Sequence, residues 1–181
     1  MKNFLFAIAA ITISALAITN GANAQNSNNM AVLEHPSNAV KVNKLMLTDA
    51  LIIGDDEVNM KALKSFRKSY KTVSGVRWVK TTYGFTARFT ANDIHNVIYY
   101  DMKGNWQASI KTYQEDKFNP TVRAIVKSKY FDYRITQVQE IENTDTNGIP
   151  TYIVHIEDEK DFMLVRVSDG NMDVYEQFKK G

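Results

Sequence analysis

Two stretches of the chain alternate between apolar and polar side chains around a short polar interruption. Ile94 to Tyr113 (IHNVIYYDMKGNWQASIKTY) is interrupted at Asp101-Met102-Lys103-Gly104-Asn105. Phe162 to Phe178 (FMLVRVSDGNMDVYEQF) is interrupted at Asp169-Gly170. A period of two marks half-buried strands, and a glycine-bearing break marks the turn between them. Both stretches therefore predict antiparallel hairpins. In the first, a three-residue loop Met102-Lys103-Gly104 with Gly104 in the left-handed conformation pairs Tyr100 with Trp106 and Ile98 with Ala108. A four-residue loop would turn the first strand over. The three-residue loop uses the glycine and gives one continuous apolar face. In the second, the Asp169-Gly170 turn pairs Val167 with Met172 and Val165 with Val174.

A helix and two strands precede each hairpin. Acidic Asp55-Asp56 suits a helix start. Val58, Ala62, Leu63, Phe66 and Tyr70 then recur at helical spacing up to Ser74-Gly75. Lys61, Lys64, Arg67, Lys68 and Lys71 form the solvated side of that helix. Strands follow over Val76 to Thr82 and Tyr83 to Thr90, with a turn at Ala91-Asn92-Asp93. Asn119 caps a second helix with Pro120 at its first position, and Val122, Ile125, Val126 and Tyr130 form its apolar stripe. Tyr133 to Glu142 and Thr151 to Glu157 read as strands, with a charged turn at Glu157 to Asp161. Tyr70 to Trp78 and Tyr130 to Val138 have equal spacing, as do Phe85 to Phe89 and Tyr152 to Ile156. The expected fold is α+β: two tandem helix-plus-four-stranded antiparallel sheet repeats, residues 42–114 and 115–181, with the helices on one face. A unit of about 60 residues is near the low end of what folds alone, so the halves should share a sheet or a core.

Upstream, Lys2, an uncharged run from Phe4 to Ile18 and Ala22-Asn23-Ala24 make a cleavable signal peptide over residues 1–24. The run is shorter than the roughly 20 residues that span a bilayer. Residues 25–41 are polar and Asn-rich, a disordered leader. Val42 to Ile53 reads as either a short strand or a short helix over part of the core.

The sequence resembles the exported PepSY-like proteins, also described as β-lactamase-inhibitor-like. Phe66 to Tyr70, Val76 to Trp78, Phe85 to Phe89, Tyr100 to Trp106 and Pro120 to Tyr130 carry the likeness, which extends over roughly Val58 to Phe178. It implies tandem helix-plus-sheet units, an envelope location and a role in binding or inhibiting a protein. It implies no catalytic residue.

Composition narrows the chemistry. The chain has no cysteine, hence no disulfide, thiolate metal site or thiol nucleophile. Its formal charge is +2 and its cations are interspersed with carboxylates, a poor footprint for nucleic acid. His35, His95 and His155 lack metal-ligand spacing, and no nucleophile elbow or phosphate loop is present. Glu157 to Asp161 is the densest carboxylate group. In a tight turn it would be solvated and keep an ordinary pKa, unsuited to a general acid. The expected protein is not an enzyme and takes no cofactor and no metal. Arg88, Tyr99, Lys111 and Tyr113 are expected on the sheet face away from the helices, with Phe162, Leu164, Arg166 and Tyr175 in the second half. Aromatics with arginine favour protein binding. The alternative is that Leu45 to Ile53, the other half or a second copy covers this face. The reading is a non-catalytic periplasmic or secreted module that binds or inhibits an envelope protein, without a membrane span after signal cleavage. A glycan or cell-wall binder using the same aromatics is the alternative.

Overall fold

A computed structural model of the protein describes residues 50–181. The expected signal peptide, the leader and residues 42–49 lie outside the described residues. Strand β1 (Leu51–Ile53) leads through a single 3-10 turn, Asp55–Glu57, to helix α1 (Met60–Ser69). Four strands follow: β2 (Arg77–Thr81), β3 (Gly84–Ala91), β4 (Ile94–Asp101) and β5 (Trp106–Tyr113). A second 3-10 turn, Glu115–Lys117, precedes helix α2 (Pro120–Lys129). The chain closes with β6 (Arg134–Asn143), β7 (Thr151–Glu157), β8 (Asp161–Ser168) and β9 (Asn171–Lys179).

Both helices start on an asparagine. Asn119 accepts from the N–H groups of Thr121 at 3.0 Å and Val122 at 3.3 Å, and Pro120 follows it as expected. Helix α1 starts later than the acidic pair suggested. Asp55 and Asp56 form the 3-10 turn, and Asn59 accepts from Lys61 N–H at 2.9 Å. Val58, just outside the helix, and Leu63 in its first turn share one core cluster, which fixes the entry of the chain. The helix also stops short of Ser74-Gly75. Tyr70 leaves helical geometry and turns its ring onto Phe66 and Phe89, with centroids 5.1 and 4.9 Å away.

The nine strands form one sheet in sequential order, each antiparallel to its neighbours. This overturns the expectation of two tandem four-stranded sheets. β5 pairs directly with β6, from Ala108 opposite Asn143 to Tyr113 opposite Val138. Two separate sheets would each leave a long unpaired edge, and joining them satisfies those backbone groups. Of the two alternatives for Leu51–Ile53, strand or helix, the chain adopts the strand: β1 forms an edge on β2.

The β4–β5 hairpin decides which side chains face which way. Its loop is the three-residue form: Gly104 N–H donates to Asp101 O at 3.0 Å, Asp101 N–H donates to Asn105 O at 2.9 Å, and Gly104 has φ +79°. Tyr100 pairs with Trp106 as expected, but Tyr99 then lies opposite Ala108. Gln107 is an extra residue in β5, a β-bulge. Beyond it the strand is turned over, so Ile98 faces Ser109 rather than Ala108. The bulge lets Trp106 pack against the cluster under α1 while Tyr113 enters the cluster under α2. In the last hairpin Val167 lies opposite Met172 and Val165 opposite Val174, as expected.

Both helices cover the same side of the sheet. Under α1, Phe66 meets Trp78 edge-on at 5.3 Å and Phe89 at 5.5 Å, with Ala87 and Ile98 beneath. Under α2, the fully buried Val126 meets Val138, Val154, Ile156 and Val165. A polar seam runs between the two clusters along β5 and β6, where Ser109, Lys111, Glu140 and Glu142 project on the helix side.

Candidate interaction face

The side of the sheet away from the helices carries an apolar band. Pairing places Val97, Ile110 and Ile141 in one row across β4, β5 and β6, with Val97 and Ile110 half-buried and Ile141 only 8% exposed. Tyr99 and Ala108 lie in the adjoining row on one side, and Ile153 of β7 in the row on the other. Alternation on β3 puts Thr86 and Arg88 on this side, because Phe85, Ala87 and Phe89 belong to the core under α1. Arg88 lies directly opposite Arg77 of β2. Both are exposed, and among the described residues neither forms an ion pair. Two adjacent guanidinium groups repel each other, and an incoming carboxylate would relieve that. Burial pushes the Tyr99 phenol above its ordinary pKa, and the nearby Arg88 charge opposes the shift.

Farther along the sheet, Leu164, His155 and Phe162 share this side. The rings of His155 and Phe162 meet edge-on at 5.8 Å, and Phe178 of β9 lies 6.1 Å from Phe162. Burial holds the His155 imidazole below its usual pKa, which favours the neutral ring. Arg166 is on the same side but engages Asp173 across the hairpin through two hydrogen bonds of 3.1 and 3.0 Å. Tyr175 is the extra residue of a bulge in β9 and is 47% exposed.

Six of the eight residues singled out from the sequence thus fall along this face or its β9 edge. Lys111 and Tyr113 do not, and their expected placement is corrected. The bulge at Gln107 brings both to the helix side. Tyr113 is buried against Phe118 and Val138, and its hydroxyl donates to Glu140 at 2.8 Å. Lys111 donates to Glu140 at 2.6 Å and to Glu142 at 3.2 Å. Burial works against the Lys111 charge, but those two carboxylates outweigh it and raise its pKa. Sequence reasoning missed Arg77, Val97, Ile110, Ile153 and Phe178. For Ile110 no local signal existed, since only the bulge moves it to this side.

Glu157, Asp158 and Asp161 of the β7–β8 turn are held in ion pairs or backbone hydrogen bonds, while Glu159 is exposed. Glu157 is engaged by Lys180 at 2.9 Å and by Arg134, and the Lys180 hydrogen bond is the main reason its pKa falls. The Asp161 N–H, 2.6 Å away, does the same for Asp158. Such groups stay ionised, whereas a general acid must hold its proton near the working pH. Among the described residues no three His, Asp or Glu side chains are grouped to hold a metal ion. No helix among them is long and apolar enough to cross a membrane.

No family model and no curated protein matches the sequence. Solved structures do share its fold. A BLIP-like protein of Bacteroides fragilis superposes with a TM-score of 0.53 at 15% identity, over 67% of this chain and 86% of that one. A DUF2874 family protein of Bacteroides ovatus gives 0.54 at 16% identity, over 70% and 89%. A protein of Bacteroides eggerthii assigned to the periplasm gives 0.52 at 13% identity, over 67% and 88%.

Proposed function

We propose that the chain is a non-catalytic, PepSY-like module of the periplasm that binds a protein partner across the helix-free face of its sheet and thereby inhibits or regulates it. One observation carries the reading: the half-buried Val97 and Ile110 lie in line with the exposed guanidinium groups of Arg77 and Arg88, which form no ion pair among the described residues. An apolar band next to a desolvatable arginine pair is the composition of a protein-binding hot spot. It suits a partner that offers apolar side chains and a carboxylate. The shared fold with a BLIP-like protein and with a protein assigned to the periplasm supports the same reading.

Capture from an envelope extract tests it, with circular dichroism confirming that each variant is folded. Arg88→Glu and Tyr99→Ala should each weaken capture of a specific protein about tenfold or more, the loss of a moderate hot spot. Lys64→Glu, on the outer side of α1, should leave capture unchanged. Undiminished capture by both face variants would overturn this surface.

A further inference from the structure

The polar seam opens into a cleft on the opposite side of the sheet, and nothing in the proposed partner face uses it. The cleft has a volume of about 240 Å³. Ser65, Ser69 and Tyr70 of α1 form one wall, and Trp106, Ser109 and Glu142 of β5 and β6 form the other.

Three features of this cleft favour the same kind of guest. The first is charge. Lys111 sits between Glu140 and Glu142, so the three groups together carry one excess negative charge. Glu140 is satisfied by Lys111 and by the Tyr113 hydroxyl. Glu142 is engaged through one oxygen only, at 3.2 Å, and its other oxygen accepts no hydrogen bond among the described residues. The second is the helix. Ser65, Ser69 and Tyr70 belong to the last turns of α1 and its C-cap, the negative end of the helix dipole, where a cation is stabilised. The third is the aromatic lining, since Tyr70 and Trp106 offer apolar surface to an alkyl chain. The Ser109 hydroxyl, on a residue only 5% exposed, adds an acceptor at the floor.

We propose that this cleft binds a primary alkylammonium ion, with the Glu142 carboxylate as its counter-ion and Tyr70 and Trp106 flanking the alkyl chain. The guest is a free aliphatic amine or the side chain of a lysine on another protein. An anion would meet Glu142 and the end of α1 unfavourably, and a neutral alcohol would leave the spare carboxylate oxygen without a charged partner.

Trp106 lines the cleft while Trp78 is buried at 2% exposure, so tryptophan fluorescence reports on this site. Titration of the full chain with cadaverine and with the peptide acetyl-Gly-Lys-Gly-amide should give a saturable change for at least one of them. Saturation by cadaverine assigns a free amine, and saturation by the peptide alone assigns a partner lysine. 1-Pentanol should give no saturable change. Glu142→Gln should weaken binding about tenfold or more, and raising the salt to about 1 M should weaken it in the unmodified protein. Ser69→Leu, a substitution at the lip, should also block binding and serves if Glu142→Gln does not fold. No response to either amine, an equal response in Glu142→Gln, or a matching response to pentanol overturns the assignment.

Discussion

Gly104 sits at φ +79°, and a Cβ built on it would lie 2.5 Å from Asn59 Oδ1 and 2.8 Å from the Ala62 backbone nitrogen. The residue does two jobs. It takes the left-handed position of the hairpin loop, and it lets that loop rest on the first turn of α1. There Asn59 Nδ2 donates to Met102 O at 3.2 Å and Lys61 donates to Asn105. Gly170 has φ +73°, and a methyl group added there would meet nothing within 4 Å. Gly104→Ala should therefore cost about 2–4 kcal/mol, from strained backbone plus collision, against about 1 kcal/mol for Gly170→Ala. Urea denaturation of the two variants checks this, and equal losses would refute the docking contact. The turn role of Gly104 was legible from Asp101 to Asn105 alone. The second role was not, because Asn59 lies far away in sequence.

At the scale of the element, β5 carries the information that alternation could not. Reading outward from Trp106 by twos selects Ala108 and Ile110 for the helix side, whereas the folded strand places Ser109, Lys111 and Tyr113 there. Gln107 absorbs the difference, and its Nε2 donates to Trp106 O at 3.2 Å while its carbonyl accepts from Thr144 N–H at 3.2 Å. Deleting Gln107 should restore simple alternation and pull Tyr113 out of the core under α2. That should cost on the order of 5 kcal/mol or more, comparable to the whole stability of a domain at the low end of the ordinary range. Gln107→Ala keeps the residue count and should cost only about 1 kcal/mol. Near-UV circular dichroism of the two proteins distinguishes them. A native spectrum from the deletion would show that the bulge is dispensable. The helix caps, by contrast, were readable where the chemistry is local. Asn119-Pro120 announces α2, whereas Asp55-Asp56 and Asn59 both suit the start of α1, and only Asn59 caps it.

Across the whole molecule, the β5–β6 pairing and the seam above it join the two hydrophobic clusters, and alkali should attack that junction. Burial raises the phenol pKa of Tyr100 from 10.0 to about 12, with the Ser65 hydroxyl opposing the shift and Tyr70 adding to it. Burial, reinforced by Glu140, raises that of Tyr113, and burial raises that of Tyr70. A phenol with a raised folded pKa keeps its proton where the unfolded chain has lost it. Stability from these groups is therefore intact below about pH 10 and falls above it. Lys111 acts in the same direction: its raised pKa marks an ion pair present below its ordinary value and lost as pH climbs through the folded one. The urea midpoint should thus hold up to about pH 10 and fall between about pH 10 and pH 12. The buried tyrosines should ionise, by absorbance at about 295 nm, only as the chain unfolds. Fluorescence of Trp78 and Trp106, both in the first half, should track the far-ultraviolet signal of the entire sheet in one transition. A constant midpoint, or two separated transitions, would contradict this account of the junction.

Hydrophobic periodicity, turn residues and caps are properties of neighbours in the chain, so the two hairpins, helix α2 with its cap, the register of the last hairpin and most of both cores follow from local order alone. That order also places Arg88, Tyr99, Phe162, Leu164 and Arg166 on the helix-free side. Whether β5 ends one sheet or continues into β6, and on which side Lys111 and Tyr113 lie, was decided only in the tertiary structure. Both depend on backbone groups and side chains about 30 residues apart satisfying one another, as Lys111 and Tyr113 do with Glu140. A single extra residue reverses a strand's two faces beyond it while barely changing its composition.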